Sequence, residues 1–267
     1  MPKFRKMGIG SNSSSRRRRS KGITRRNHVT WISDVATFVP SDLDTLSLWL
    51  KADAGITKGE DDRVSDWASQ VGSYSVVQTR GSNQPLYVAS QINSLPVIRF
   101  LTDDILEKTS SVFSGDSSVP MTVAAVLKIK AAAAAGTDTQ YAFSTGSGEN
   151  ALAWTGKGDS SLATFKLAST KLDPTSVTGP DVAVDTTKFL MWEVFPDGTG
   201  SLWVDKVKVT TADSLVADGT LHATATIGGA GSLAPDMDLG ELCVWQGNIG
   251  GPTMQNFFNY IRTRWGV

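Results

Sequence analysis

The sequence predicts an all-β protein: two antiparallel sheets packed as a jelly-roll sandwich, closed by one C-terminal amphipathic helix. Three observations carry this reading. Apolar and polar residues alternate over short stretches through most of the chain, the period of a half-buried strand. Gly, Ser, Asp and Pro punctuate those stretches at short intervals, as turns between strands require. Helical spacing is nearly absent until the chain's end.

In chain order, the first segment is an arm. Met1–His28 holds Lys3, Arg5, Lys6, Arg16, Arg17, Arg18, Arg19, Lys21, Arg25 and Arg26, and no Asp or Glu. Ten of the 26 basic residues fall there, leaving 16 basic against 26 acidic residues in the rest. The zero net charge of the whole therefore hides a cationic arm on an anionic body. Ser11–Ser15 and the unbroken block Arg16–Arg19 leave too little apolar surface to fold alone, so the arm is expected to be disordered or extended. Its ten cations are its candidate partner-binding residues. Three roles stay open: counterion exchange on nucleic-acid phosphates, a peg between subunits of an assembly with arginines on carboxylates, or a tail with no fixed partner. No aromatic residue is interleaved between Arg5 and Arg26, which disfavours stacking on single strands. Residues 29–41 read as a linker and 42–267 as the sandwich domain.

Within that domain Leu46, Leu48, Leu50 and Ala52 alternate with Ser47, Trp49 and Lys51. Val123, Ala125, Leu127 and Ile129 share one face of Met121–Lys130, with Thr122, Lys128 and Lys130 opposite. Ala131–Ala135 has helix propensity but is too short to sustain a helix, so it reads as a loop to about Thr139. Phe189–Phe195 is an apolar run broken at Pro196-Asp197-Gly198. Ser201–Thr210 then resumes strand character, which predicts a hairpin across Asp-Gly. Leu239–Gln246 is a further apolar strand after the Gly-rich turn at 228–231. The closing helix is predicted over 253–265, with Pro252 in its first turn, Met254, Phe257, Phe258, Ile261 and Trp265 on its buried stripe, and Gly266 ending it.

Composition excludes several classes. The single cysteine, Cys243, lies in an apolar run and reads as packing. No apolar stretch approaches a membrane span, and the basic N-terminus lacks the apolar core of a secretory signal. A chain made in a cytoplasm, with no membrane partner, is expected.

Several strings then look familiar in their order. They are Leu48-Trp49-Leu50-Lys51-Ala52-Asp53-Ala54-Gly55, Val64-Ser65-Asp66-Trp67-Ala68, Gln84-Pro85-Leu86-Tyr87, Asn93-Ser94-Leu95-Pro96-Val97-Ile98-Arg99-Phe100 and Asp103-Asp104-Ile105-Leu106. Near the end stand Leu239-Gly240-Glu241-Leu242-Cys243-Val244-Trp245 and Tyr260-Ile261-Arg262-Thr263-Arg264-Trp265-Gly266. Over about Asp42–Val267 this resembles the laminin G-like or concanavalin A-like jelly rolls common in bacteriophage virion proteins and bacterial surface proteins. The resemblance implies two packed antiparallel sheets and a closing helix. It also implies a calcium option through the loop carboxylates Glu60-Asp61-Asp62 and Asp103-Asp104. The Asn93-Ser94-Leu95-Pro96 and Leu101-Thr102-Asp103-Asp104-Ile105 strings depart from the family's usual loops and weaken transfer of a ligand site there.

No catalytic pattern accompanies the fold. The paired-carboxylate string Glu-x-Asp-x-Glu of sandwich glycosidases is missing. Glu193 and Glu241 read as structural or surface residues. His222 is the only histidine of the domain, so neither a Ser-His-Asp site nor a zinc site is expected. Most tryptophans should be core. Trp154, between Gly-rich segments, is the best exposed candidate for a glycan contact. The expectation is a non-enzymatic structural protein of a virus particle, most readily a bacteriophage capsid, decoration or tail-fibre subunit, anchored by its arm to neighbouring subunits or packaged nucleic acid. A glycan-binding adhesion module and a cellular nucleic-acid-associated β protein are the alternatives.

Overall fold

The computed structural model describes residues 38–108, 110–113, 119–131, 139–145, 149–156, 162–168, 176–197, 199–212, 224–229 and 235–267. The body, Thr37–Val267, forms one compact unit. Its strands are β1 (Leu46–Lys51), β2 (Ile56–Lys58), β3 (Val64–Ala68), β4 (Ser75–Val77), β5 (Leu86–Ile92), β6 (Leu95–Phe100), β7 (Ile105–Lys108), β8 (Met121–Ala131) and β9 (Thr139–Thr145). There follow β10 (Glu149–Gly156), β11 (Leu162–Ala168), β12 (Ser176–Ala183), β13 (Thr187–Val194), β14 (Gly200–Val204), β15 (Val207–Ala212), β16 (Ala225–Gly228) and β17 (Asp236–Gln246), then helix α1 (Pro252–Trp265).

Two antiparallel sheets result. The first runs β15-β14-β13-β8-β17-β6-β5, with β1 also paired to β17, and the second runs β12-β11-β10-β9-β16-β7-β4-β3-β2. Between them lies the core expected from the alternation. Leu48, Leu50, Ile98, Val123, Leu127, Leu190, Trp192 and Leu242 come from the first sheet, against Trp67, Val76, Leu106, Phe143, Leu152, Trp154 and Ile227 from the second.

The first sheet is buried on both faces over much of its width, and this blurs its alternation. In β8, Val123, Ala125 and Leu127 face the sandwich core, while Ala124 and Val126 face a second apolar cluster under α1. Even Thr122 is buried, its hydroxyl donating to the Gly247 carbonyl at 2.9 Å. In β17, Cys243 and Trp245 face that same cluster, and burial raises the Cys243 thiol pKa.

The helix forms where its spacing predicts. Pro252 fills the first turn, Gly266 closes it in the left-handed region at φ 74°, and the Gly266 N–H donates to the Arg262 carbonyl at 2.9 Å. Its stripe meets Phe189, Trp203 and Trp245 edge-on or tilted, with ring centroids 4.9–5.9 Å apart. Packing begins ahead of Asp42, because the Phe38 ring meets Tyr260 of the helix edge-on.

The hairpin across 196–198 is present: Val194 pairs with Gly200, and Asp197 accepts from the Thr199 N–H and hydroxyl. The single strand expected over Ser201–Thr210 is instead two. Asp205 and Lys206 both take positive φ, 46° and 73°, and turn β14 tightly back into β15. The alanine-rich loop after Ala131 lies outside the described residues as far as 138. Among the described residues, no helix is long and apolar enough to cross a membrane.

Candidate ligand-binding trough

The outer face of the first sheet is covered by α1 along only part of its length. Beyond the helix's C-terminal end an open trough of about 430 Å³ remains, within the range of small-ligand sites. Gln91, Ile92 and Asn93 of the β5–β6 hairpin line one end. Thr187 of β13 and Asp205 of the β14–β15 turn line the other. Trp265, Gly266 and Val267 form the wall where the helix stops.

Strand register sets a polar row that runs from Thr187 across the same sheet. Thr187 pairs with Lys128, Lys128 with Asp238, and Asp238 with Arg99. Directly paired residues in neighbouring antiparallel strands share a face, so hydroxyl, ammonium, carboxylate and guanidinium follow one another across four strands. Arg99 grips Asp238 with a two-pronged fork, Nε to Oδ1 at 2.6 Å and Nη2 to Oδ2 at 2.9 Å, and also donates to Gln91. At the other end Lys188 pairs with Asp205, which also accepts the Phe189 N–H. The Lys130–Asp185 pair borders the row. Near it Asp236 has its pKa raised, first by burial and then by Asp238.

The wall is fixed by a buried carboxylate. Glu241 is 1% exposed and accepts four side-chain donors. Trp49 Nε1 at 2.6 Å and Tyr260 Oη at 2.8 Å reach Oε1; Trp265 Nε1 at 2.6 Å and Arg264 Nε at 3.1 Å reach Oε2. Arg264 also pairs with Asp53 at 2.6 Å. A buried charge is tolerable only when so surrounded. Burial raises the Tyr260 hydroxyl pKa, and the neighbouring carboxylate adds to this. The arrangement clamps the last turn of α1 to β1 and β17. Gly240 allows the approach, since a Cβ there would stand 2.6 Å from the Trp265 ring. On the other side of the wall Asn93 Nδ2 donates to the Arg264 carbonyl at 2.8 Å.

The residues singled out from the sequence fare unevenly. Trp154 is corrected: it is 0% exposed, points into the sandwich from β10, donates its indole N–H to Gln140 at 2.8 Å and meets Phe165 edge-on. It is a core residue, because the inward face of β10 leaves no route to solvent. Glu193 is 5% exposed; burial raises its pKa, and the Trp203 indole donates to it at 3.3 Å. The loop carboxylates do not converge. Asp61 pairs with Arg63, Asp62 with Lys58, and Asp104 accepts the Leu101 N–H at 2.8 Å, with burial pushing its pKa up to about 6. Among the described residues no group of three or more acidic, His or Cys side chains could hold a metal. The ten arm cations and His222 lie outside the described residues.

Reading the sequence alone missed the trough. Its lining residues come from two strands, two turns and the end of the helix, which only the folded chain brings together. The Glu241 clamp left one trace, a lone charge inside an apolar strand.

No family model and no curated protein matches the chain. Solved structures similar to it include the Trypanosoma rangeli sialidase in complex with sialic acid, at TM-score 0.53 and 12% identity over 85% of this chain and 35% of that one. The binding domain of Paraclostridial Mosquitocidal Protein 1 aligns at TM-score 0.53 and 9% identity over 82% and 52%. The binding domain of botulinum neurotoxin DC in complex with SialylT aligns at TM-score 0.50 and 9% identity over 81% and 51%. The chain thus spans between a third and about half of the length of those structures. What it shares with them is a two-sheet β-sandwich fold.

Proposed function

We propose that this chain is a non-enzymatic glycan-binding module that takes its ligand in the trough at the end of α1. One observation carries the reading: a small open site is rimmed by groups that suit sugar hydroxyls, namely the amides of Gln91 and Asn93, the hydroxyl of Thr187 and the carboxylate of Asp205. Amides and hydroxyls both donate and accept, as a polyhydroxylated ligand requires. The similar structures include glycan complexes, sialic acid on the sialidase and SialylT on the neurotoxin domain, and this fits the reading.

Binding suits the trough better than hydrolysis. Sugar hydrolysis needs two available carboxylates across the scissile bond. Here both oxygens of Asp238 accept the Arg99 fork, and Asp205 is paired with Lys188. Glu241 is enclosed by its four donors. The test is a glycan array followed by calorimetry on the parent, Gln91→Ala and Thr187→Ala. Binding lost at least tenfold in both variants, with unchanged melting temperature, is the expected result. Binding that ignores both substitutions would refute the trough. Hydrolysis of a polysaccharide panel, abolished by Asp236→Asn, would overturn the non-enzymatic part.

A second reading rests on the charge segregation of the sequence. An arm with ten cations and no acid, on a body with 16 basic and 26 acidic residues, suits a virion subunit held in its particle by arm contacts to neighbouring subunits or packaged nucleic acid. The two readings are compatible, since a particle's outer subunit can carry a glycan site. Deleting Met1–Arg26 and comparing assembly at low and high salt tests it. Salt-sensitive assembly that requires the arm is expected; identical behaviour with and without the arm would remove the reading.

A further inference from the structure

We infer that the trough selects saccharides bearing an N-acetyl group, and that Gln91 and Asn93 read the two ends of its amide. The inference rests on the glycan reading of the trough and specifies its ligand.

Gln91 and Asn93 line the same end of the trough, and each has its amide polarity set by a partner that acts in only one sense. A guanidinium only donates, and a backbone carbonyl only accepts. Arg99 Nη2 donates to Gln91 at 3.3 Å, so the Gln91 atom turned towards it is the oxygen. Arg99 is itself held by the fully buried Asp238, through both carboxylate oxygens. The Gln91 nitrogen gives one hydrogen to the Ala89 carbonyl at 3.1 Å and has a second to give. Asn93 is set the other way. Its nitrogen donates to the Arg264 carbonyl at 2.8 Å, which leaves its oxygen to accept. Among the described residues no side-chain or backbone donor is bonded to that oxygen.

Gln91 therefore offers a donor and Asn93 an acceptor, side by side. A sugar hydroxyl fits such a pair without selecting for it, because it rotates to donate or to accept. A secondary amide has fixed polarity: its carbonyl accepts, its N–H donates, and its planar bond holds the two apart. An N-acetyl group placed between Gln91 and Asn93 satisfies both. Its methyl calls for apolar surface, and Ile92, Trp265 and Val267 line the trough beside the two amides. The group is also uncharged, which suits a trough whose one acidic side chain, Asp205, is already paired with Lys188.

The experiment puts the full chain on an array carrying two matched pairs, lactose with N-acetyllactosamine and cellobiose with N,N′-diacetylchitobiose, and measures the affinities by calorimetry. The members of a pair differ only in ring hydroxyls replaced by acetamido groups. All are uncharged, so the cationic arm and the acidic body act on them alike. The acetamido member of at least one pair is expected to bind about tenfold or more tightly than its counterpart. Gln91→Glu keeps an oxygen for Arg99 and replaces the donor with an acceptor. It is expected to weaken the acetamido member about tenfold and its counterpart less, so that the ratio shrinks towards one, with the melting temperature unchanged. Gln91→Ala removes the donor without adding charge and is expected to shrink the ratio as well. A ratio near one in the parent, with both members bound, overturns the inference and leaves the glycan reading standing. A large ratio that neither variant lowers overturns it too, and so does an array on which other glycans bind and neither pair does. Binding of no glycan at all sinks the glycan reading and this inference together.

Discussion

Glu241 and Asp238 lie on the same strand, face the same side of the same sheet and are both buried, yet they are partnered very differently. Glu241 is under the helix, and its two oxygens take four donors from Trp49, Tyr260, Arg264 and Trp265. Asp238 is just as buried, but its two oxygens take a single side-chain partner, the Arg99 guanidinium. Around Glu241 the two indole N–H groups, the phenol and the guanidinium Nε all find their acceptor. Around Asp238 the charges pair one to one, Arg99 with Asp238 and Lys130 with Asp185. A sheet face becomes a fastening where a helix brings enough donors, and stays an open trough where the helix stops short.

The contrast can be broken most forcefully at Glu241. Glu241→Ala strands two indole N–H groups, a phenol and a guanidinium in a buried space. It is expected to cost about 3–5 kcal/mol, read by urea unfolding, and to erase the trough wall. A loss under 1 kcal/mol would mean the cluster fastens nothing. Gly240→Ala pushes a methyl into the Trp265 ring and should cost about 1–3 kcal/mol, with an altered near-UV tryptophan signal. If the trough depends on its wall, ligand affinity falls in the same variant. Trp154→Phe is a control from the opposite sheet: it gives up one buried hydrogen bond and leaves a cavity, about 1–3 kcal/mol, and leaves ligand affinity alone. Affinity lost there would redirect attention to the second sheet.

The smallest effect is a pH dependence. Burial pushes the Asp53 pKa up, but Arg264 and Lys51 more than offset this, so it lies below the ordinary carboxylate value. A group whose folded pKa is lowered stabilises the fold above its unfolded pKa, near 3.8, and loses that contribution as pH falls through the folded value. The melting temperature of the parent should therefore drop more steeply below about pH 4 than that of Asp53→Asn. Parallel curves would show that Asp53 adds nothing to the fastening.

Much of the fold was legible because its signals are local. The apolar runs of β1, β8, β13 and β17, the Asp197 turn and the α1 stripe stand where alternation, turn chemistry and helical spacing put them. The split between β14 and β15 was hidden, because Asp205-Lys206 lacks the glycine that usually marks such a turn. Trp154 misled for a related reason: nearby glycines suggested exposure, but the inward parity of β10 decides its fate. Glu241 could have been flagged, since a charge inside Leu239–Trp245 calls for partners, and Tyr260, Arg264 and Trp265 share the adjacent helix face. Nothing local could reveal the polar row of Arg99, Asp238, Lys128 and Thr187, which meet only through pairing across strands.

Both jaws of the trough are two-residue turns. Asn93 and Ser94 take φ 47° and 62°, and Asp205 and Lys206 take φ 46° and 73°. Connections this short leave no slack to swing, and each is fastened to its strands: Asp205 to the Phe189 backbone, Asn93 to the end of the helix. If the trough takes the ligand proposed for it, that ligand meets a mould set before it arrives, and little ordering entropy is lost on capture.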